Sequence, residues 1–102
     1  MGEPMFTGTL CADLRLGDVR SLKEKRSVVR PIVAEIARRH AVSVAETGHH
    51  DLYRRAEIGV AVVSGESVRC RDVLDAVERM LAERPGVELL QVRRQLFSDD
   101  DE

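Results

Sequence analysis

With 102 residues, 43% of them hydrophobic and 33% charged, the chain is long enough to bury one core without a metal or a disulfide, and it reads as one domain. A formal charge of -2 argues against a protein that coats nucleic acid through bulk charge. The average hides an asymmetry, however, because between Arg15 and His40 eight basic residues (Arg15, Arg20, Lys23, Lys25, Arg26, Arg30, Arg38, Arg39) face three acidic ones (Asp18, Glu24, Glu35).

The start, MGEPMFTG, lacks the charged and apolar regions of a signal peptide, and Phe6 stands where a myristoylation pattern needs Ser or Thr. No apolar run approaches the roughly 20 residues that cross a bilayer, so no membrane contact and a cytoplasmic location are expected. Met5 to Leu16 alternates, with Phe6, Gly8, Leu10, Ala12, Leu14 and Leu16 on one side, which is strand periodicity. Gly17 and Asp18 end that strand. Ser21 followed by Glu24 has capping-box spacing, in which the hydroxyl takes the Glu24 N–H and the carboxylate reaches back to the Ser21 N–H.

A helix is therefore expected from Leu22 to about Arg39. Leu22, Val29, Val33, Ile36 and His40 form its apolar face, widened by Ile32 and Ala37, with Lys23, Arg26, Arg30 and Arg38 beside it. Pro31 removes one helical hydrogen bond, at a cost of about 3 kcal/mol unless the helix bends, so a kink near Ser27 is expected. A short strand follows at Val42 to Thr47, then the turn GHHD, and a third strand at Tyr53 to Ser64 whose apolar centre suits burial on both faces. Cys70, Val73, Leu74, Val77, Met80 and Leu81 mark a second helix from Ser67 to about Arg84, stopped by Pro85-Gly86. Val87 to Phe97 is the last strand, and residues 98–102, SDDDE, are expected as a disordered acidic tail on a domain spanning 1–97. Cys11 and Cys70 form no CxxC and read as reduced thiols.

The order β-α-β-β-α-β predicts an α+β ferredoxin-like fold: a four-stranded antiparallel sheet, first and third strands central, with two helices on one face. The other face is left open. Thr7, Thr9, Cys11, Asp13, Ser43, Ala45, Thr47, Glu57, Gly59, Ala61, Val63, Leu89, Gln91 and Arg93 are expected on it, and Ala61, Val63 and Leu89 favour its use as a homodimer contact.

The segments SLKEKRSVV and VSVAETGHHDLYRRAEIGVAVVS, together with the element order, resemble the YlxP-like proteins, a small bacterial family (domain of unknown function 503). The similarity runs from about Met5 to Phe97. It implies a ferredoxin-like fold and a bacterial cytoplasmic setting, with genes often near those for transcription elongation, translation initiation and ribosome maturation factors. It implies no known activity. Pro31 is a departure from what the family leads one to expect in that helix.

Lys23, Arg26 and Arg30 on one helical flank, with Arg15, Arg20 and Lys25 near the helix start, could follow a phosphate backbone and suggest ribosomal RNA or the ribosome as partner. The contact would be electrostatic. With Phe6, Tyr53 and Phe97 as the only aromatics, bases cannot be stacked across the central strands as in an RRM, and no GxxG clamp is present. Lys25 falls on the apolar side of the helix, either snorkelling or reaching an anion such as Asp51.

His49, His50 and Asp51, with Arg54 and Arg55, form a second candidate site in the hairpin. A metal there would need His40 or Glu46 as a further ligand, and neighbours in a tight turn rarely aim at one ion, so no metal and no cofactor are expected. Asp51 is expected to fix the turn or to pair with Arg54 or Arg55. No nucleophile elbow, Cys–His pair or phosphate-cradling glycine loop is present, so no catalytic residues are assigned. The alternatives to an RNA- or ribosome-associated factor are a dimeric interaction module with an acidic protein partner, and a small-ligand or metal protein built on the hairpin.

Overall fold

The computed structural model describes residues 2–100. Its elements are β1 (Phe6–Leu16), α1 (Leu22–Arg39), β2 (Ser43–Gly48), β3 (Arg55–Ser64), α2 (Ser67–Glu83) and β4 (Val87–Ser98), and the sheet order is β2-β3-β1-β4 with every neighbouring pair antiparallel. This is the ferredoxin-like α+β fold. Alternation along β1 does what period two demands: Gly8, Leu10, Ala12, Leu14 and Leu16 are buried under the helices, and the residues between them face the other way.

The two helices bury matching stripes. Lys25, Val29, Ile32 and Ile36 of α1 and Cys70, Leu74, Val77 and Leu81 of α2 recur at the same helical spacing. Ser21 caps α1 by accepting the Glu24 N–H at 3.1 Å, and Lys25 N–H donates the first helical bond to the Ser21 carbonyl at 3.0 Å. The Glu24 carboxylate reaches one residue further back than expected, accepting the Arg20 N–H at 3.2 Å. Leu22 is 37% exposed, because the seam runs through Lys25 rather than through the first residue of the helix. Ala37, also expected on the apolar face, is exposed. Helix α1 continues unbroken through Pro31, which lies on its exposed side.

Two sheet positions differ from expectation. Strand β3 is central but buried on one face only, with Ala56, Ile58, Val60 and Val62 inward and Val63 63% exposed. Three of its outward positions, Gly59, Ala61 and Val63, are also apolar, which gave the sequence its continuous apolar look. In β4 the register on β1 shifts between Asp13↔Gln91 and Leu14↔Leu89, so one extra residue, Leu90, is accommodated there. Leu89 therefore packs against the core and is not on the open face, whereas Gln91 and Arg93 are opposite Asp13 and Cys11 as expected. The acidic tail starts later than expected: Ser98 belongs to β4, and Asp99 exchanges main-chain and side-chain bonds with Met5 at 3.1 and 2.8 Å. Asp101 and Glu102 lie outside the described residues.

Candidate functional site

One end of the molecule gathers most of the candidate residues, and Lys25 is what joins them. Its side chain is only 3% exposed and meets Glu46 Oε2 at 2.9 Å in a charge pair that is not aligned as a hydrogen bond. Its ammonium also donates to the main-chain carbonyl of His49 at 2.6 Å. Glu46 points inward because alternation along β2 places Val44 and Glu46 on the helix side. Buried in this way, Lys25 cannot be a phosphate contact, and its anion is Glu46 rather than Asp51.

The β2–β3 hairpin is thus pinned to the first turn of α1. His49 takes a left-handed backbone with φ of 59°, uncommon for a residue with a side chain though easier for His than for most. Its carbonyl also accepts the Leu52 N–H at 3.0 Å, and its Nε2 lies 3.3 Å from Asp13 Oδ1 on the open face. His50 Nε2 turns instead to the Glu46 carbonyl at 3.3 Å, and Asp51 is exposed. The three hairpin residues therefore diverge, and among the described residues no three His, Cys, Asp or Glu side chains converge on a metal position.

On the open face the β1–β3 register sets like charges opposite each other twice, Asp13 opposite Glu57 and Arg15 opposite Arg55. Such pairs repel unless neutralised. The Arg55 guanidinium bridges diagonally to both oxygens of Asp13, its Nε at 3.2 Å, so Arg55 pairs with Asp13 and not with Asp51. Arg93 of β4 reaches Glu57 at 3.4 Å and the Cys11 sulfur at 3.1 Å, and Arg15 reaches Glu88 at 3.5 Å.

A small polar hollow of about 180 Å³ lies among Cys11, Asp13, Glu57, Gln91 and Arg93. Thr47, the extra residue at a register shift in β2, lies across this face and donates to Glu57 Oε1 at 2.9 Å. Only glycine at position 59 leaves room for it, since a Cβ there would sit 2.7 Å from the Thr47 methyl. That hydroxyl holds the Glu57 carboxyl below its ordinary value, helped by the Cys11 thiol, Arg93 and His49 and opposed by partial burial.

The second hairpin pair joins the helix set. Arg54 Nε donates to the Val19 carbonyl at 3.4 Å, its guanidinium lies 4.0 Å from Asp18, and its carbonyl accepts the Leu16 N–H at 2.8 Å. Arg15, Asp18, Arg54 and Arg55 line a hollow of about 570 Å³ between the β1–α1 loop and the start of β3. Arg20 pairs with Asp18 at 3.3 Å. Lys23, Arg26 and Arg30 are exposed and have no carboxylate partner among the described residues. They form one row on α1, roughly opposite Glu35, which bonds Arg84 beyond the end of α2. The row is therefore turned away from α2.

Glu46, Thr47, Asp13, Glu57 and Arg93 are site residues that the sequence alone did not single out as a cluster. The alternation of β2 and the like-charge register of β1 and β3 are the signals that carry them.

The profile of a family described as "Protein of unknown function (DUF503)" matches residues 7–94. "Uncharacterized protein YlxP" of Bacillus subtilis (strain 168) is 32% identical over 80 residues, which cover 78% of this chain and 87% of that protein.

Glu57, its carboxyl lowered in the fold, contributes stability above the ordinary carboxylate range that is lost as pH falls through the lowered value. Replacing Thr47 by Val removes the largest cause. Urea unfolding across a pH series should show wild type more stable than Thr47→Val at neutral pH, with the gap closing in acid. A gap independent of pH would remove Glu57 as its source.

Proposed function

The chain belongs to the DUF503 family of proteins of unknown function, and we propose that it is a binding protein that engages RNA phosphates through the start of α1, as a factor associated with RNA or the ribosome. The row Lys23, Arg26 and Arg30 is the observation that carries this reading. Many of the other cations meet the protein's own carboxylates: Arg39 and Arg84 on Glu35, Arg55 on Asp13, Arg93 on Glu57, Arg94 on Asp75 and Glu78.

Arg69, Arg71 and Arg79 of α2, which have no carboxylate partner among the described residues, are interleaved with Asp72, Asp75 and Glu78, so that surface is close to neutral. From Leu22 to Ala34 the one acid is Glu24, and it is committed to the Arg20 N–H. Lys23 and Arg30 are about 10 Å apart along the helix axis, a row that can follow several phosphates. Arg54, Arg20 and Arg15 extend it toward the hollow at the β1–α1 loop, and the unpaired N–H groups of the first helical turn add partial positive charge.

A second reading, a homodimer through the open face, is favoured by two exposed apolar side chains. Val63 and Phe97, 63% and 49% exposed, flank Thr7 from the two neighbouring strands. The charges of that face are already paired within it, as Arg15–Glu88, Arg55–Asp13 and Arg93–Glu57, so a copy stacked on it meets no net repulsion.

Binding to structured ribosomal RNA should weaken with salt along a logarithmic slope of about -2 to -3, as three or four phosphate contacts require. Lys23→Glu/Arg26→Glu should lose at least about tenfold in affinity while its urea midpoint stays unchanged, since both residues are exposed. Equal binding by the variant would refute the reading. Sedimentation at rising concentration addresses the second one: a dimer dissociated by Val63→Lys supports it, and a monomer throughout excludes it.

A further inference from the structure

Tyr53 is the one tyrosine in a chain without tryptophan, and it stands 49% exposed in the segment between β2 and β3. An aromatic ring offers a large apolar area that is normally buried. Here its neighbour Leu52 is 48% exposed as well, and Leu22, at the start of α1, is 37% exposed. These three are the exposed large apolar residues at this end of the molecule.

The contacts already described tie the segment of Leu52 and Tyr53 to elements that carry cations. Arg54, next to Tyr53, is held against Val19 and Asp18 of the β1–α1 loop. Lys25 ties the same segment to the first turn of α1 through the His49 carbonyl, with Lys23 and Arg26 on either side of it in sequence. An exposed ring next to Arg54 in sequence, on a segment tied to the helix turn that carries Lys23 and Arg26, combines the two elements that hold a strand by its phosphates and stack an unstacked base. It does not need the central strands of the sheet, β1 and β3, which carry no aromatic on their open face; Phe97 lies at the far end of the edge strand β4.

We infer that Tyr53 is a stacking platform for an unpaired base, so that the RNA recognised is single-stranded or looped rather than continuous duplex. This rests on the phosphate-binding reading and narrows its substrate class. In a continuous A-form duplex the bases are stacked on one another and offer Tyr53 no free face. The phosphates alone would then contact Lys23, Arg26 and Arg30.

The test uses the full chain with oligoadenylate, alone and annealed to oligouridylate. Because Tyr53 is the only tyrosine, its emission reports the contact directly. Emission should fall on adding the single strand and hold steady on adding the duplex. By anisotropy of an end-labelled strand, Tyr53→Ala should bind oligoadenylate about tenfold more weakly, Tyr53→Phe should bind like wild type, and both should bind duplex like wild type. If Tyr53→Ala binds the single strand as wild type does, still with salt dependence and still sensitive to Lys23→Glu/Arg26→Glu, the stacking inference is overturned and the phosphate reading stands. If wild type binds neither probe nor ribosomal RNA at low salt, both fall.

Discussion

A lysine ammonium inside a small domain is costly, several kcal/mol before any partner is found, and the arrangement of this protein follows from how Lys25 offsets that cost. It uses the Glu46 carboxylate of the edge strand and the His49 carbonyl of the hairpin beyond it. Removing one partner of such a pair leaves the other charge buried, at about 3 to 5 kcal/mol. The contact fixes the edge strand under α1 and sets the hairpin backbone, with His49 in its left-handed conformation and its ring over Asp13. One buried charge thereby links the helix face of the sheet to the open face around the edge of β2. It also brings Leu52, Tyr53 and Arg54 to the same end as Lys23 and Arg26.

Apart from the interleaved charges of α2, two sets of the remaining charges contrast. On the open face they are consumed locally, where the like-charge register of β1 and β3 is tolerated because Arg55 and Arg93 bridge to Asp13 and Glu57. On the outer flank of α1 they are left unspent. The sheet edges are guarded as well, since β2 is six residues long with a register shift at Thr47 and an inward Glu46, and β4 has its own shift at Leu90 with Arg94 tied to Asp75 and Glu78. Strand addition at either edge is thus disfavoured. The cationic end and the open face are the surfaces on which the proposed function and its alternative rest.

Much of this was legible from residue spacing alone. Period two in β1 and the helical spacing of Cys70, Leu74, Val77 and Leu81 gave the fold, because burial on one face is a local pattern. Leu89 was misplaced because a single extra residue reverses every side chain beyond it, and no composition signal marks where that residue sits. The continuous apolar run of β3 suggested two buried faces because Gly59 and Ala61 count as apolar while lying on the open one. Lys25 and Glu46 were each visible, one on the apolar side of its helix and the other inward by alternation. Their meeting was not, because it depends on where α1 crosses β2. Tyr53 was weighed only as one of three aromatics that do not make a stacking surface across the central strands; the bond of neighbouring Arg54 to the β1–α1 loop was not visible in the sequence.

The central claim is that Lys25 holds the hairpin to α1 and so assembles this end of the molecule. Amide hydrogen exchange of wild type beside Lys25→Met addresses it directly. The Leu52 amide, bonded to the His49 carbonyl, and the Leu16 amide, bonded to the Arg54 carbonyl, should exchange faster in the variant, while those of α2 and the centre of β1 keep their protection. Unchanged exchange at Leu52 and Leu16, or acceleration spread evenly over the whole chain, would contradict it.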